Sequence, residues 1–571
     1  MLVAEPDTGV TIRSVGFSWD PAPPDAERAA AYLRSGWWDD ESLGQLLGAG
    51  LRDAAHQPFI VRSNRRPFRG RLGDVDSMAR RLAGGLAARG IGRGSIIAFQ
   101  LPNWLEAAAT FYATCYLGAT IVPIVHFYGT KELGYILRKT KVEGLITTDA
   151  FGAQRFLENL DALRVEPGGL PDLDWVAVVG ERSFDRLLDV SAVDGPVATD
   201  PSAPALIAYT SGTTSDPKGV VHAHRTIGAE IRQLGAIQPG LGEAVVASPP
   251  GASGASGVIA IDMLTGAPVG HGIGMLAALL LPVWRRRAIH LIDVWDPGRV
   301  LAAMREDGLS AGQGATVFLT SLLDHPDFDL AVHGPLMRSI GLGGAAVPIA
   351  VCERARELGI ECIRSYGCTE HPSITGSVFE DPWEQRCTTD GLPLPGVEIR
   401  LVDERGRDVR VGEPGEIWSR GPDCFWGYTD RARTAEAFVD GWYRTGDVGV
   451  LDGHGRLAIT DRLKDIIIRG GENVSAQEVE ELLMRMPAVA ECAVVAAPDA
   501  RLGEHAAAFF RMLDNAAVPT IAEVQSHLSA AGLAKQKWPE ELHSVGDFPR
   551  TPSGKIQKFV LRERLRAPER S

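Results

Sequence analysis

A thirteen-residue stretch, Tyr209-Thr-Ser-Gly-Thr-Thr-Ser-Asp-Pro-Lys-Gly-Val-Val221, constrains this chain more than any other feature. It follows an apolar run, residues 205–208, that is typical of a buried strand. Five hydroxyl side chains and Gly212 then fall within six residues, so the loop can turn backbone N–H groups and hydroxyls toward one anion. Lys218 adds a positive charge suited to phosphate. The stretch therefore predicts a phosphate-binding loop.

The order of residues in this loop distinguishes it from other phosphate loops. Pro217 precedes Lys218 and Gly219 follows it, so the Walker A pattern G-x-x-x-x-G-K-[ST] fails. A Ser/Thr/Gly run alone is often only a solvated linker. With its Pro-Lys-Gly ending, however, the loop resembles that of the adenylate-forming superfamily: acyl-CoA synthetases, aryl-acid ligases, luciferases and peptide-synthetase adenylation domains. One departure is Ser215, where the usual loop has glycine.

Length, charge and cysteine usage narrow the class of protein. A chain of 571 residues is too long for one core, so we expect two or more domains. The net charge of −14, with no long Lys/Arg tract, argues against a nucleic-acid partner. Seven cysteines without a C-x-x-C pair favour a reducing compartment without structural zinc or disulfides. No signal peptide or membrane-spanning run is visible. We therefore predict a cytoplasmic enzyme without a transmembrane segment, and a homodimer stays open.

The pattern of apolar residues divides the chain into segments. Residues 1–26 read as a lead-in, and from residue 27 onward strands alternate with helices, which predicts a mostly parallel α/β sheet. A second α/β stretch begins with the phosphate loop and extends to about residue 376. After residue 391 short alternating strands predict a β-rich subdomain. A charged, turn-prone linker, Thr460–Asp465, then leads to a small α/β domain.

A Gly/Ala/Ser-rich region, residues 249–274, separates two parts of the second α/β stretch. Its glycines match a dinucleotide fingerprint only weakly, so we predict a flexible loop there. Residues 268–275 resemble the superfamily segment that borders the acyl pocket, which makes residues 251–266 an insertion. His271 and Gly272 become candidate acyl-pocket residues, with a purely structural role for His271 equally open.

Three further motifs carry groups suited to a nucleotide. Gly343-Gly344-Ala345 predicts a tight turn that a flat ligand can approach closely. In Tyr366-Gly-Cys-Thr-Glu370 the ring can pack on a base, while Thr369 and Glu370 offer hard oxygen ligands to a phosphate-bound Mg²⁺. Asp447 follows a glycine and suits the two ribose hydroxyls. Each motif alone also fits an ordinary turn.

The motifs occur in the order found in adenylate-forming enzymes, and the resemblance covers nearly the whole chain from about residue 30. It implies an α/β fold in which residues 27–463 form a large N-terminal AMP-binding domain of two α/β subdomains plus a β-rich subdomain. Residues 464–571 would form a small mobile C-terminal α+β domain that turns about a hinge at Lys464. The Gly-Gly-Glu-Asn segment, residues 470–473, and the chain's ending look most like acyl-CoA synthetases of short-chain, medium-chain or alicyclic acids.

This resemblance implies ATP, Mg²⁺ and CoA as reactants or cofactors of a two-step reaction. A carboxylate attacks the α-phosphate of ATP to give acyl-AMP and pyrophosphate, and the CoA thiol then displaces AMP. By this resemblance Lys555 bridges the carboxylate and the α-phosphate, and the other phosphates are held by Thr210, Ser211, Gly212, Thr213, Thr214 and Lys218. Adenine is framed by Gly343, Gly344, Ala345, Tyr366 and Gly367, and ribose is bound by Asp447 and Arg462. Mg²⁺ is oriented by Thr369 and Glu370, and CoA is contacted by Gly470, Gly471, Lys535 and Lys537.

Several alternatives remain at this level. Lys535 and Lys537 fit solvated charges as well as a CoA site. The acyl acceptor is either free CoA or a carrier-protein thiol on the same fold. An amino-acid substrate is disfavoured because no Asp stands near His271 to pair with an amine. A rival from another class is a nucleotide-binding protein that has lost catalysis, and the presence of both Lys555 and Glu370 argues against it.

Overall fold

The computed structural model describes residues 19, 21–210, 217–237, 243–246, 259–470, 472–499, 501–513, 516–551 and 554–566. Most of the predicted lead-in, the loop residues Ser211, Gly212, Thr213 and Thr214, and also Gly471 lie outside the described residues. Among the helices that are described, none combines the length and the apolar character needed to cross a membrane.

The helices alternate with strands along most of the chain. The α-helices are Ala26–Arg34, Leu43–Asp53, Leu72–Ala87, Leu105–Tyr116, Thr130–Thr140, Phe156–Val165, Arg182–Leu188, His224–Ile237, Gly272–Met275, Leu281–Trp284, Pro297–Asp307, Thr316–Leu323, Leu330–His333, Ile349–Glu357, Trp383–Thr388, Arg431–Ala437, Ala476–Leu483, Ile521–Ala530 and Lys558–Arg566. Local sequence explains their starts: Ser42 and Gln45 form a capping box, and Asp296 caps a helix with proline in its first turn.

The first large sheet has six strands and holds the phosphate loop at its edge. In spatial order they are Lys218–Ala223, Pro204–Thr210, Thr120–Ile124, Ile96–Gln100, Gly144–Thr147 and Trp175–Val178. All neighbours are parallel except the first pair, which is antiparallel. The strands Ile96–Gln100 and Thr120–Ile124 are buried at every position, as expected where helices cover both faces of a parallel sheet.

Two further sheets have four strands each. One contains Leu264–Thr265, Ile289–Ile292, Pro58–Arg62 and Phe68–Arg71; the other contains Ser339–Gly343, Glu361–Tyr366, Thr375–Gly376 and Leu392–Pro393. In the second sheet Ser339–Gly343 and Glu361–Tyr366 run parallel, so Gly343 and Tyr366 end their strands on the same side. Ligands of open α/β sheets bind beyond such carboxyl ends.

The β-rich part that the sequence predicts after residue 391 is present as a five-stranded sheet. Its strands are Glu398–Val402, Gly415–Arg420, Trp442–Leu451, Phe438–Val439 and Leu457–Arg462, all antiparallel to their neighbours. Asp447 and Arg462 are register partners on two adjacent strands of this sheet.

The last part of the chain builds a separate sheet and core. Its strands are Glu472–Val474, Ile467–Arg469, Gly503–Met512, Val489–Asp499 and Glu541–Ser544. Helices Ala476–Leu483 and Ile521–Ala530 cover one face through Val479, Leu483 and Leu528, and Leu561 of the last helix packs on the other. The predicted boundary and hinge at Lys464 lie just before this sheet.

Two sequence interpretations are wrong in detail. Residues 259–262 and 264–265 are strands rather than parts of a flexible loop, because the first pairs with residues 243–246 and the second with Ile289–Ile292. Residues 460–462 belong to the strand Leu457–Arg462 rather than to a linker. In both places ladder hydrogen bonds from a distant segment override local turn-forming composition.

Candidate active site

The two ends of the phosphate loop are clamped together by the antiparallel ladder. Thr210 and Lys218 are register partners, so residues 211–216 leave and return at one point. Gly219 comes next, and a Cβ there would lie 2.7 Å from Thr429 Oγ1 and 2.8 Å from the Tyr209 ring. Lys218 holds its ammonium 5.3 Å from the centre of the Tyr428 ring, a cation–π arrangement that orients its charge. The ladder therefore fixes both Thr210 and Lys218 at the mouth of the loop.

The glycine turn follows the strand Ser339–Gly343. A Cβ on Gly343 would lie 2.6 Å from Ser365 Oγ, so the two parallel strands need glycine to approach each other. Gly344 has φ +77°, in the region that favours glycine, and Ala345 follows it. This bare backbone lies beside the end of the neighbouring strand at Tyr366.

Three polar side chains, the buried Tyr366 and Asp447 and the partly exposed Arg462, connect this strand end to the β-rich sheet. The Tyr366 hydroxyl donates to Asp447 Oδ2 over 2.8 Å, and Arg462 Nε lies 2.9 Å from Asp447 Oδ1. Asp447 raises the pKa of Arg462, and burial, followed by Asp447, raises the pKa of Tyr366 well above 10. Tyr366 therefore stays protonated and Arg462 stays charged, and together they hold the Asp447 carboxylate in place.

Thr369 and Glu370 are held by residues that the sequence analysis did not single out. His222 Nε2 lies 2.7 Å from the Thr369 carbonyl oxygen, and the Tyr428 hydroxyl donates to Glu370 Oε1 over 2.7 Å. Burial, and next Glu370, raise the pKa of Tyr428, so its hydroxyl remains a donor. At Gly367 a Cβ would lie 1.9 Å from the Pro372 carbonyl oxygen, which makes glycine obligatory in this turn.

Lys555 of the C-terminal sheet domain faces these N-terminal groups. Burial, and next the Arg462 guanidinium, lower its pKa to about 8, while Asp447 and Glu370 act in the opposite direction. Its loop is a tight turn: the Thr551 N–H donates to the Lys555 carbonyl over 2.7 Å, and Gly554 has φ +82°. A Cβ on Gly554 would lie 2.8 Å from Val317 Cγ1. The loop thus lies against the N-terminal part at Val317, and the charges of Asp447 and Glu370 act on Lys555.

His271 and Gly272 directly precede Ile273, which lines an apolar pocket. Burial, and second the Lys555 ammonium, lower the pKa of His271 to about 4, so the imidazole is neutral at physiological pH. The next residue but one, Ile273, lines the pocket together with residues 263–267, residues 312–314, Trp295 and Phe318. Trp295 and Phe318 pack edge to face, 4.7 Å between ring centres. The pocket is therefore an enclosed, mostly apolar space next to the segment that contains His271.

The remaining predicted residues lie elsewhere on the C-terminal part. Lys464 has its pKa lowered to about 8 by burial and then by Arg462, so it sits close to the site. Gly470 has φ +60° and donates its N–H to the Leu502 carbonyl. Lys537 pairs with Glu478 at 2.6 Å, and the Lys535 ammonium lies 5.9 Å from the Trp538 ring centre. Within the described ranges, no hydrogen bond or ion pair joins Lys535 or Lys537 to the Lys555 site.

Known proteins share this architecture. Residues 71–429 match the family described as AMP-binding enzyme, and residues 478–555 match the AMP-binding enzyme C-terminal domain. The chain belongs to this family. The AMP-binding enzyme fold, a large N-terminal and a small C-terminal domain, confirms the predicted fold class and the resemblance behind it.

Relatives within the AMP-binding enzyme family include two curated CoA ligases. The medium-chain fatty-acid–CoA ligase of Escherichia coli (strain K12) is 31% identical over 550 residues, which cover 94% of this chain and 93% of that protein. The 3-[(3aS,4S,7aS)-7a-methyl-1,5-dioxo-octahydro-1H-inden-4-yl]propanoyl:CoA ligase of Rhodococcus jostii (strain RHA1) is 33% identical, covering 85% and 92%.

Among solved structures, ATP-bound MatB from Rhodopseudomonas palustris superimposes with a TM-score of 0.79 at 26% identity, covering 92% of this chain and 99% of that one. The chain therefore spans nearly the full length of the relatives that it matches.

Proposed function

We propose that this protein activates a carboxylic acid with ATP, giving acyl-AMP and pyrophosphate, and then transfers the acyl group to CoA. The observation that supports the proposal is that Lys555 of the C-terminal domain lies close enough to Asp447, Glu370 and His271 for their charges to influence one another. The family membership and the CoA-ligase relatives support the same reaction.

The first step needs charge and alignment more than a base. A carboxylate oxygen forms a bond to the α-phosphorus while the bond to the β-phosphate oxygen breaks, and pyrophosphate leaves. Because nucleophile and target are both anionic, fixed positive charge and orientation lower the barrier most. Lys555 supplies that charge between the two reactants, with Lys218 and the loop residues 210–214 on the departing phosphates.

The nucleoside would lie on the strand ends. Gly343, Gly344, Ala345, Tyr366 and Gly367 offer a flat, partly bare surface to adenine. Asp447, already aligned by Tyr366 and Arg462, would accept hydrogen bonds from the ribose hydroxyls. In the second step the CoA thiolate attacks the acyl carbon and AMP leaves with the electron pair of the broken bond, with Gly470, Gly471, Lys535 and Lys537 proposed for CoA.

A magnesium ion fits the donor set around Glu370. Tyr428 orients this carboxylate through Oε1, and one carboxylate together with substrate phosphates is a common way for proteins to bind Mg²⁺. The described residues hold no cluster of three or more ligating His, Cys, Asp or Glu side chains, consistent with an ion carried by ATP. When bound, Mg²⁺ neutralises phosphate charge, and Glu370 with Thr369 orients it.

The predicted acid is a short-chain, medium-chain or alicyclic one, since the pocket behind His271 is lined largely by apolar side chains. We also propose rotation of the C-terminal domain about Lys464 between the two steps, because the thiol needs the space that Lys555 occupies. The domain boundaries, the cytoplasmic location and a homodimer stay predictions; light scattering of the purified protein tests the last.

The decisive experiment measures pyrophosphate release from ATP with a panel of straight-chain, alicyclic and aromatic acids, each with and without CoA. We expect turnover with one acid class and an acyl-CoA product that requires CoA. Acid-dependent ATP–pyrophosphate exchange without acyl-CoA would indicate another acceptor, such as a carrier-protein thiol. If no acid supports exchange, the proposed function is wrong.

A further inference from the structure

One side chain in the apolar pocket has no partner for its polar group. Both Nε2 and Oε1 of Gln313 are inaccessible to solvent, and neither makes a hydrogen bond within the part of the chain that the structure describes. The neighbouring walls come from apolar groups, among them Ile273, Trp295 and Phe318. A buried amide without partners is unfavourable, so a native pocket that keeps one needs a reason for it.

The backbone holds this amide in a fixed place. Gly312 and Gly314 on either side of it have φ +99° and +105°, values that an L-residue with a side chain rarely adopts. Gly314 pairs with the strand Ser339–Gly343: its N–H donates to the Gly341 carbonyl, and its carbonyl accepts from the Gly343 N–H, both over 2.9 Å. Gln313 Oε1 lies 4.0 Å from the Cβ position of Gly341. The residue after Gln313 is therefore hydrogen-bonded to the strand that leads to the glycine turn, which fixes the backbone position of Gln313.

The pocket that contains Gln313 borders both the glycine turn and the Lys555 loop. A Cβ on Gly344 would lie 2.6 Å from Ile273 Cδ1, so the glycine turn and the pocket share a wall. The Lys555 loop touches Val317 and Ala315, directly after Gly314. An acid whose carboxylate binds at Lys555, as proposed above, would therefore direct its tail toward Gln313.

We propose that the side-chain amide of Gln313 forms a hydrogen bond with an oxygen atom on the tail of the acid and so selects acids that carry one. The preferred substrate is a carboxylic acid with an otherwise apolar chain or ring that carries a ketone or a hydroxyl group. A ketone accepts from Nε2, and a hydroxyl both accepts from Nε2 and donates to Oε1. A purely hydrocarbon tail fills the pocket but leaves the amide unpaired. This inference rests on the proposed acid activation and adds the chemical class of the acid.

The test uses pairs of acids that differ in a single tail oxygen. Octanoic acid is compared with its oxo and hydroxy derivatives at each position from carbon 4 to carbon 7, and 3-cyclohexylpropanoic acid with its 4-oxo and 4-hydroxy ring derivatives. The readout is kcat/KM for pyrophosphate release. We expect at least one oxygenated acid to exceed its hydrocarbon partner by roughly tenfold or more, since sites built to hydrogen-bond a group discriminate strongly against its absence.

Three variants assign that preference to the amide. Gln313→Leu should bring the ratio between the two acids to about one or reverse it. Gln313→Met, which keeps the side-chain length, should do the same and guards against a packing defect in the leucine variant. Gln385→Leu is the matched control, because Gln385 also has a buried, unpaired Oε1 but does not line the pocket; its ratio should equal the parent's.

The outcomes separate this inference from the proposed function. Preference for the hydrocarbon member of every pair, or an oxygen preference that survives both Gln313 variants, would overturn the role of Gln313 while leaving acid activation intact. Absence of pyrophosphate release with every acid would instead overturn the proposed function, and the substrate class with it.

Discussion

The two sides of the candidate active site are held in different ways. The N-terminal side rests on strand ladders and a buried core: Thr210 and Lys218 are register partners, and Gly343 and Tyr366 end adjacent parallel strands. On the C-terminal side, the turn that carries Lys555 approaches the site at Gly554, which lies close to Val317. Further contacts are polar, such as Ser475 to the Thr460 carbonyl and Gln477 to the Ile459 carbonyl.

This difference in how the two sides are held suits a division of labour, in which the N-terminal side binds the nucleotide and the C-terminal side supplies the group that acts in one step of the reaction. Ladder hydrogen bonds and close packing make the phosphate and nucleoside surface permanent, because breaking them would expose much apolar area. A few polar contacts and one loop can be exchanged at low cost, which suits the proposed rotation of the C-terminal domain that would withdraw Lys555 before the thiol arrives. We therefore expect changes on the C-terminal side to affect individual steps, and changes on the N-terminal side to affect stability.

The largest effect should come from Lys555→Ala. Loss of the ammonium between two anions should slow acid-dependent ATP–pyrophosphate exchange by roughly 100- to 1000-fold, by analogy with loss of one electrostatic contact in other active sites. Formation of acyl-CoA from supplied acyl-AMP should fall far less, because that step needs Lys555 out of the way. Lys131→Ala, at an exposed lysine, is the control. Equal losses in both half-reactions would contradict the division of roles.

Gly554→Ala tests the docking of the loop. Alanine at φ +82° costs about 1–2 kcal/mol, and its Cβ also meets Val317, so adenylation should slow by roughly tenfold. The matched control is Gly532→Ala in the same domain, where φ is +78° but nothing lies within 4 Å of the added Cβ. Both variants should lose similar Tm, yet only the first should lose exchange activity. A parallel loss in the control would mean that strain alone is responsible.

A smaller effect is the pH dependence of adenylation. Lys555 has its pKa lowered to about 8, so it is charged below that pH and neutral above it. kcat/KM for exchange should therefore fall as pH rises through about 8, approaching tenfold per pH unit at higher pH. In Lys555→Arg the guanidinium stays charged, so the decline should disappear even though the rate is lower. A decline that persists in this variant would assign it to another group.

The smallest effect concerns stability on the N-terminal side. Burial, and next Asp423, raise the pKa of Glu230 well above 4.5, and one oxygen of this carboxyl accepts from Ser373 over 2.7 Å. Since the folded pKa exceeds the unfolded one, this contribution to stability is present below about pH 4.5 and is lost as pH rises through the folded pKa.

Glu230→Gln removes that titration, so the Tm difference between variant and parent should grow in favour of the variant from pH 5 to pH 9, as measured by calorimetry. Glu480 on the C-terminal side is also buried with a raised pKa, but Lys558 lies 2.7 Å away as a charged partner. Glu480→Gln should therefore lower Tm. A loss of stability in Glu230→Gln at pH 9 would show that the ionised carboxylate is the stabilising form.

The apolar periodicity of the sequence predicts those helices and strands whose own residues determine their structure. The helices near residues 43–54 and 104–117 and the strand at 95–100 follow from apolar periodicity within a residue or two. The strand at residues 259–262 was missed, because its partner at 243–246 supplies hydrogen bonds that its own composition does not announce. The positions of Lys537 and Glu478 in the sequence likewise did not predict the ion pair between them.

The sequence by itself determined the order and identity of the groups: the hydroxyl-rich loop, the glycine turn, Glu370, Asp447 and Lys555 all stand in motifs whose residue types suit their proposed roles. Tertiary structure alone decided how they meet. The Tyr428 hydroxyl donates a hydrogen bond to Glu370, and the Lys555 ammonium, after burial, lowers the pKa of His271. The amide of Gln313 has no hydrogen-bond partner among the described residues of its apolar pocket. The physical reason is that hydrogen bonding and desolvation depend on distance in space, and these contacts join residues far apart along the chain.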